Sequence, residues 1–328
     1  MVYKRDHFTG SIQIKNEPFF FKAFSKKASF IRELKGYNTI SKYYPVPKLI
    51  FSGKIDDCYV LIYPYEKIVE KKGGLLIDLL SEKNKSTKRF DKILNLYKKA
   101  FTQTLHIDTG KAAKVFFQDR LKTRIPIYYS KKFIKQDIDV LVNGENDSVQ
   151  LEKIIKSISR FFENKSRFLC VVSQCDPNEL NISTKPLIFD YLGGGCVPLF
   201  AEFATLFWYQ IFQSKHLNPK YDPYFTKKIK KRLELKLNGR IKNKYQISNS
   251  RISFLSRYID IVLNPCLKTR RGYDWYPEFK NFLALRILGV FNVSQMSKKD
   301  VMLSLGYLKL FYSIDSLEDP HDLLALLR

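Results

Sequence analysis

Apolar and polar positions alternate through the first sixty or so residues and then fall into a three-to-four-residue rhythm that holds for most of the remaining chain. Ser11 to Lys15 and Phe19 to Phe24 read as a hairpin, with Asn16-Glu17-Pro18 at the turn. Alternation places Phe20, Lys22 and Phe24 on one face of the second strand and Phe19, Phe21 and Ala23 on the other. A lysine between two phenylalanines on a core face needs a partner for its charge. Helical spacing follows over Lys26 to Lys42, where Phe30, Leu34, Tyr37 and Ile40/Ser41 fall near one stripe and Glu33 lies inside the helix. After Pro45-Val46-Pro47, two more strands are expected, Lys48 to Gly53 and Cys58 to Tyr63, and Pro64-Tyr65-Glu66 breaks the pattern.

Beyond that break the expected elements are mainly helices: Gly74 to Leu80, Arg89 to His106, Leu151 to Phe162, Pro198 to Phe212, Phe254 to Val262, Phe279 to Leu288 and Lys298 to Tyr312. Polar loops are expected near Ser81 to Thr87, Asn143 to Ser148 and Ile241 to Ser250. The shift from strands to helices puts the domain boundary at residue 66, giving a small lobe over 1–66 and a large helical lobe over 67–328. The most apolar run, Val197 to Phe212, contains Pro198, Glu202 and Gln210 and is shorter than a bilayer span. It reads as a buried helix, and no membrane span is expected.

Composition narrows the classes. With 328 residues, 45% hydrophobic and 15% aromatic, the chain has material for a large core and is not a disordered tail. Its formal charge of +25 favours acidic partners such as nucleotides, phosphorylated metabolites, nucleic acid or anionic surfaces, although solvated lysines in a Lys-, Asn- and Ile-rich chain give the same number. The basic residues concentrate between Lys215 and Arg251, with Tyr221, Tyr224, Phe225 and Tyr245 interleaved, a pattern that suits nucleic acid or another anionic polymer as well as a solvated helix face. Arg120 and Arg124, at i and i+4, could share a helix face and hold a phosphate or carboxylate. Five scattered cysteines with no CxxC pair, and four dispersed histidines, predict neither a disulfide framework nor a zinc site; a reducing cytoplasm fits. No apolar leader follows Met1, so no signal peptide is expected.

The most informative stretch runs from Asp176 to Asp190. Asp176-Pro177-Asn178-Glu179-Leu180-Asn181 follows the apolar strand Phe168 to Val172, and Leu187-Ile188-Phe189-Asp190 closes a second apolar run. Ile182-Ser183 and Leu187-Ile188-Phe189 can pair through Thr184-Lys185-Pro186, which brings Asn181 and Asp190 together. A neutral and a charged oxygen donor suit Mg²⁺, and Asp176 on the loop can orient a hydroxyl or take its proton. Phosphoryl transfer needs little more than this positioning. Turn and capping chemistry favours Asp and Asn at such places too, so the pattern gains its weight from the apolar strands on either side and from Lys22, Glu33 and the strand-to-helix layout in the right order.

Taken together, these residues resemble the protein-kinase-like superfamily, in its aminoglycoside phosphotransferase and choline kinase branch. The resemblance implies an α+β, two-lobed protein-kinase-like fold with a small antiparallel-sheet N-lobe and a large, mostly helical C-lobe. It makes Lys22 the phosphate-contacting strand lysine, Glu33 its helix partner, Asp176 the catalytic residue, and Asn181 and Asp190 the metal ligands. Leu61-Ile62-Tyr63-Pro64-Tyr65 resembles the strand before the hinge, so Ile62, Tyr63 and Tyr65 are expected beside the adenine. Thr104-Leu105-His106 resembles the helix end that carries Leu-His, and Ala201-Glu202-Phe203-Ala204 the helix after the metal-binding aspartate. ATP and Mg²⁺ are the implied cofactors, and a small-molecule hydroxyl is the implied acceptor. Two features depart from the family: Gln174-Cys175 stands where His-Gly is usual, and the first hairpin has one glycine and no glycine-rich phosphate loop. Because aminoglycosides are polycations and the 215–251 segment is poor in acids, a neutral or anionic acceptor is expected. The rival readings are a catalytically inactive scaffold of the same fold and a basic binder of nucleic acid or another anionic polymer.

Overall fold

The computed structural model describes residues 7–81, 87–109, 120–142, 145–212, 235–236, 240–241, 247–290 and 296–327. Residues 82–86 of the expected loop at Ser81 to Thr87, residues 242–246 of the one at Ile241 to Ser250, and most of the basic 215–251 run lie outside the described residues.

The chain opens with β1 (His7–Ile14) and β2 (Glu17–Phe24), followed by α1 (Lys27–Ile40), β3 (Phe51–Ile55) and β4 (Cys58–Pro64). The four strands form one antiparallel sheet in the order β1-β2-β4-β3. The first turn falls at Lys15-Asn16, both with positive φ (49° and 64°), one residue earlier than the sequence suggested. That tight turn matches the twist of paired strands, and it leaves Pro18 inside β2 opposite Gln13. Likewise β3 starts three residues later than expected.

The helical part begins with α2 (Leu76–Ser81) and α3 (Thr87–Thr104), whose buried positions Phe90, Ile93, Leu94, Tyr97, Ala100 and Phe101 repeat at helical spacing. Helix α3 ends two residues before expected, and His106 lies instead at the start of a short strand, β5 (His106–Asp108). Asn143 to Ser148, expected as a loop, falls largely within the hairpin of β6 (Asp137–Val142) and β7 (Glu145–Gln150). The alternation in that stretch is carried mostly by polar residues, so a hydrophobic pattern could not reveal it. Then come α4 (Leu151–Asn164), β8 (Phe168–Ser173), β9 (Gly195–Pro198), α5 (Leu199–Ile211), α6 (Asn249–Tyr258), α7 (Tyr276–Val290) and α8 (Lys298–Tyr312). Strands β5, β8 and β9 make a second antiparallel sheet in that order.

Every residue of α5 is buried, as its apolar composition requires. Its aromatic side chains interlock with α7: Phe203 and Phe207 lie 5.2 and 5.3 Å from Phe279, centroid to centroid. Burial of each such ring contributes about 1.5–3 kcal/mol. This rigid pair of helices lies directly behind the loop that carries Asp176. Among the described residues, no helix is long and apolar enough to cross a membrane.

Candidate active site

Lys22 emerges from the centre of the N-terminal sheet on the face predicted from alternation, and it is 5% exposed. Its Nζ donates to Glu33 Oε2 and to Asp190 Oδ1, both at 2.8 Å. Glu33, on α1, also accepts the Tyr191 backbone N–H at 3.1 Å, so the helix is tied to the residue after Asp190. Helix α1 reaches that segment through a glycine: a Cβ on Gly36 would lie 1.9 Å from the Tyr191 carbonyl oxygen. Burial alone would lower the Lys22 pKa, but Asp190 and Glu33 outweigh it and the net shift is upward. Desolvation works against ionised Asp190, yet the Lys22 ammonium holds its carboxyl below the ordinary value. For Glu33, burial and the nearby Asp190 charge win over Lys22, and its pKa rises.

The expected second hairpin is present. Ile182 bridges Ile188, Ser183 N–H donates to Leu187 O at 3.0 Å, and Phe189 N–H donates to Asn181 O at 2.8 Å. Asn181 therefore sits beside the strand end that carries Asp190. Its amide nitrogen donates to the Asp176 carbonyl at 3.3 Å, so its side-chain oxygen is the atom that could ligate a cation. Asp190 itself adopts φ +64°, an uncommon conformation for a non-glycine residue that gains support from the bonds on either side. One amide oxygen and one carboxylate, 41% exposed on the Asp190 side chain, form the hard-oxygen set that Mg²⁺ prefers, so the residues present fit that ion.

Asp176 lies just past β8, its side chain 37% exposed. Its Oδ1 accepts from Tyr209 Oη at 2.8 Å and from Arg286 Nη2 at 3.1 Å. Arg286 also donates to Tyr209 Oη and lies over that ring, 4.7 Å from its centroid. The sequence reading missed both partners. A lone arginine in the apolar run Phe282 to Val290, and a tyrosine in the buried helix, were the available signals. Arg120 approaches from a π-helical turn (Arg120–Arg124) and is 4% exposed. Burial, then repulsion from Arg286 and Arg124, pushes its pKa down to about 9, so it stays charged at neutral pH. Arg124 donates to the Gly289 carbonyl at 3.4 Å, and a Cβ on Gly289 would lie 2.8 Å from Arg120 Cβ, so both arginines pack against α7.

Buried ionic groups fix the loop from behind. Arg251, counted in the sequence as part of a basic face, is 1% exposed and pairs bidentately with Glu179 at 2.8 Å on both nitrogens. Its Nη1 also donates to the Tyr209 carbonyl and to Gln210 Oε1. Removing one partner of such a pair costs about 3–5 kcal/mol. Gln174, in place of the usual histidine, donates to Tyr97 Oη at 2.9 Å. Cys175 is buried with φ +63°, which explains why a glycine suits that position. Its thiol pKa is pushed up to about 12 by burial, so it is a packed residue and not a nucleophile. Glu202 accepts from Ser173 Oγ, and burial raises its pKa to about 8.

At the expected adenine edge, Ile62 and Tyr63 lie on β4, paired on one side with β2 and on the other with β3 up to Ile62. The Ile62 carbonyl accepts from Ile50 N–H and the Tyr65 amide donates to Pro18 O, so these two backbone groups serve the protein. Tyr63 is 5% exposed, its ring meets Tyr37 and Tyr191, and its Oη has no hydrogen-bond partner among the described residues. Tyr65 Oη donates to Glu70 at 2.7 Å.

Solved structures share this architecture. A thermostable variant of the aminoglycoside phosphotransferase APH(4)-Ia, in a ternary complex with ADP and hygromycin B, aligns with a TM-score of 0.51 over 95% of this chain and 92% of its own, at 11% identity. The chain has the aminoglycoside phosphotransferase fold. A candidate aminoglycoside phosphotransferase from Ralstonia eutropha also aligns at 0.51, over 94% and 88% of the two chains, at 11% identity. A Plasmodium vivax ethanolamine kinase aligns at 0.49 over 94% and 84%, at 10% identity. The sequence matches no protein-family model and no curated protein. The likeness is one of fold, at 11% identity, and the two-lobed α+β expectation holds.

Proposed function

We propose that this protein is an ATP- and Mg²⁺-dependent kinase that transfers the γ-phosphoryl group to a hydroxyl of a small neutral or anionic molecule. The observation that carries the reading is the buried Lys22 ammonium held at 2.8 Å by both Glu33 and Asp190, which joins the N-terminal sheet to the hairpin bearing Asn181. In this reading residues 1–66 form the nucleotide-binding lobe and 67–328 the lobe with the catalytic loop and acceptor site.

Lys22 holds the nucleotide phosphates, and Glu33 keeps its ammonium oriented. Ile62, Tyr63 and Tyr65 lie along the adenine edge. Asn181 and Asp190 would hold the metal ion, which when bound neutralises phosphate charge as transfer proceeds. Asp176 orients the acceptor hydroxyl and receives its proton, while Tyr209 and Arg286 fix the carboxylate. Two buried guanidiniums near that carboxylate, Arg286 and Arg120, favour an acceptor that brings negative or no charge, and they disfavour a polycation. The aminoglycosides of the structural relatives are therefore a poor fit to this chain.

The test is thermal stability with ATP, with and without Mg²⁺. A ligand at one hundred times its Kd stabilises by about 2.7 kcal/mol, a readily measured rise in Tm. The rise should require Mg²⁺ and vanish in Asp190→Ala, whose loss leaves the Lys22–Glu33 pair in place. A rise that ignores Mg²⁺, or survives Asp190→Ala, overturns the reading. Phosphorylation of kanamycin-type compounds at ordinary rates would overturn the acceptor assignment alone.

A further inference from the structure

The sheet β5-β8-β9 brings Cys196 of β9 to His106 and Asp108 of β5, about ninety positions earlier in the chain. His106 pairs in register with Cys170, and Val172 with Cys196, so His106, Asp108, Cys170 and Cys196 share one face of the sheet. On that face the His106 Nε2, Asp108 Oδ2 and Cys196 Sγ atoms converge within 4.8 Å of one another. The separations are 3.5 Å from Nε2 to Oδ2, 3.5 Å from Sγ to Oδ2 and 3.8 Å from Sγ to Nε2. Ligands about 2.0–2.3 Å from a tetrahedral ion lie about 3.3–3.7 Å from each other, so the three atoms already have almost the required spacing.

We propose that His106, Asp108 and Cys196 form a binding site for a zinc-like divalent cation, distinct from the nucleotide site. His106 and Asp108 are each oriented by a contact outside the trio. The His106 ring lies with Nδ1 2.6 Å from the Thr104 carbonyl; Nδ1 is the donor there, which leaves the Nε2 lone pair directed at the other two ligands. Asp108 Oδ1 accepts the Thr109 N–H at 2.6 Å, which leaves Oδ2 toward the trio. The arrangement does not suit a nucleophilic relay. In a Cys-His-Asp relay the thiol and the carboxylate use opposite ring nitrogens, whereas here both approach Nε2. Thiolate, imidazole and carboxylate together select a borderline-soft ion, zinc before magnesium or calcium. The side chains of His106 and Asp108 are 48% and 43% exposed, so an ion reaches the site directly and water completes its coordination. The ordinary alternative is a surface His–Asp ion pair beside a thiol. The absence of any CxxC or clustered histidines predicts no zinc site, because the ligands come from strands ninety residues apart in sequence.

The experiment is a Co²⁺ titration of the reduced full chain followed by absorbance, then displacement by Zn²⁺. One ion per chain is expected, with tetrahedral visible bands and a thiolate-to-metal charge-transfer band in the near ultraviolet. Cys196→Ser should abolish the charge-transfer band, and His106→Gln or Asp108→Asn should weaken Zn²⁺ binding by about 10–100-fold or more. Both side chains are about half exposed, so the variants are expected to fold. Cys58→Ser, outside the trio, should bind normally. Failure to bind one ion per chain, a spectrum without the thiolate band, or a Cys196→Ser protein that binds as tightly as the parent would overturn the proposal.

Discussion

Around Lys22 one buried ammonium serves two carboxylates, Glu33 and Asp190, while around Asp176 one carboxylate meets the buried guanidinium of Arg286 with Arg120 behind it. The first region sets two acidic side chains against one ammonium, and the second sets one carboxylate beside guanidiniums. Each imbalance is tolerable in a closed protein only where a ligand or solvent completes it. The donor half calls for a cation near Asp190, which is where the proposed metal belongs. The acceptor half calls for an anion or for nothing charged. In the proposed reading the fold thus presents two sites of opposite sign a short loop apart, and the sign of the proposed acceptor half is what would set this chain apart from a binder of polycations.

Breaking the acceptor half alone should leave the nucleotide response of the donor half standing. Asp176→Asn keeps the donor half intact, so the Mg²⁺- and ATP-dependent rise in Tm should persist while kcat falls by about 10²–10⁴-fold. Arg286→Gln removes a charge-assisted bond worth about 1.5–3 kcal/mol, so kcat/KM for an anionic acceptor should fall by about 10–150-fold with nucleotide stabilisation unchanged. If either variant loses the nucleotide response as well, the division into two halves fails. If Arg286→Gln speeds phosphorylation of a cationic acceptor, the charge argument gains support.

A smaller effect tests the core behind the acceptor half. Glu202 is fully buried and its folded-state pKa is raised to about 8 by burial first, with the Asp176 charge adding to it and Ser173 opposing. An unfolded glutamate titrates near 4.5. Between those values the unfolded chain has released the proton that the folded chain retains, so stability falls as pH rises from about 4.5 to about 8 and is fully present below that window. The loss is on the order of a few kcal/mol. Glu202→Gln imitates the protonated acid, and urea titrations at pH 5 and pH 8 should show a flatter dependence than the parent. An unchanged slope would place the titration elsewhere.

The sequence made the grouping of Lys22, Glu33, Asn181 and Asp190 legible because these residues come with local patterns. Lys22 lies in an alternating strand, Glu33 in an amphipathic helix, and Asn181 and Asp190 on either side of a short turn. The acceptor half has no such markers. Arg286, Tyr209, Arg251 and Glu179 lie in or against apolar helices, and their partners are 31 to 110 residues away. Only the packing of α5 against α7 and α6 brings them together. The hairpin of β6 and β7 was missed for a related reason: its pairing is backbone-driven and its residues are mostly polar. Arg251 was misread because charge was counted without knowledge of burial. The departures from the family at Gln174 and Cys175 were visible as letters, while what they do awaited the backbone angles.

Cys175 offers the finest test of that last point. A side chain at φ +63° in a left-handed conformation costs about 1–2 kcal/mol relative to glycine. At an ordinary position, replacing a residue by glycine destabilises about 0.5–1 kcal/mol more than replacing it by alanine. Here the order should reverse. Cys175→Gly relieves the backbone while Cys175→Ala keeps the strain, and both lose the buried sulfur. The glycine variant should therefore be the more stable of the two by roughly 1 kcal/mol, and within about 1 kcal/mol of the parent. Neither change touches Lys22, Glu33 or Asp190, so ATP should raise Tm equally in both. If alanine proves the more stable, the loop before Asp176 does not hold the strained conformation, and the tight hold on that carboxylate from Tyr209 and Arg286 would have to be re-derived from a different loop path.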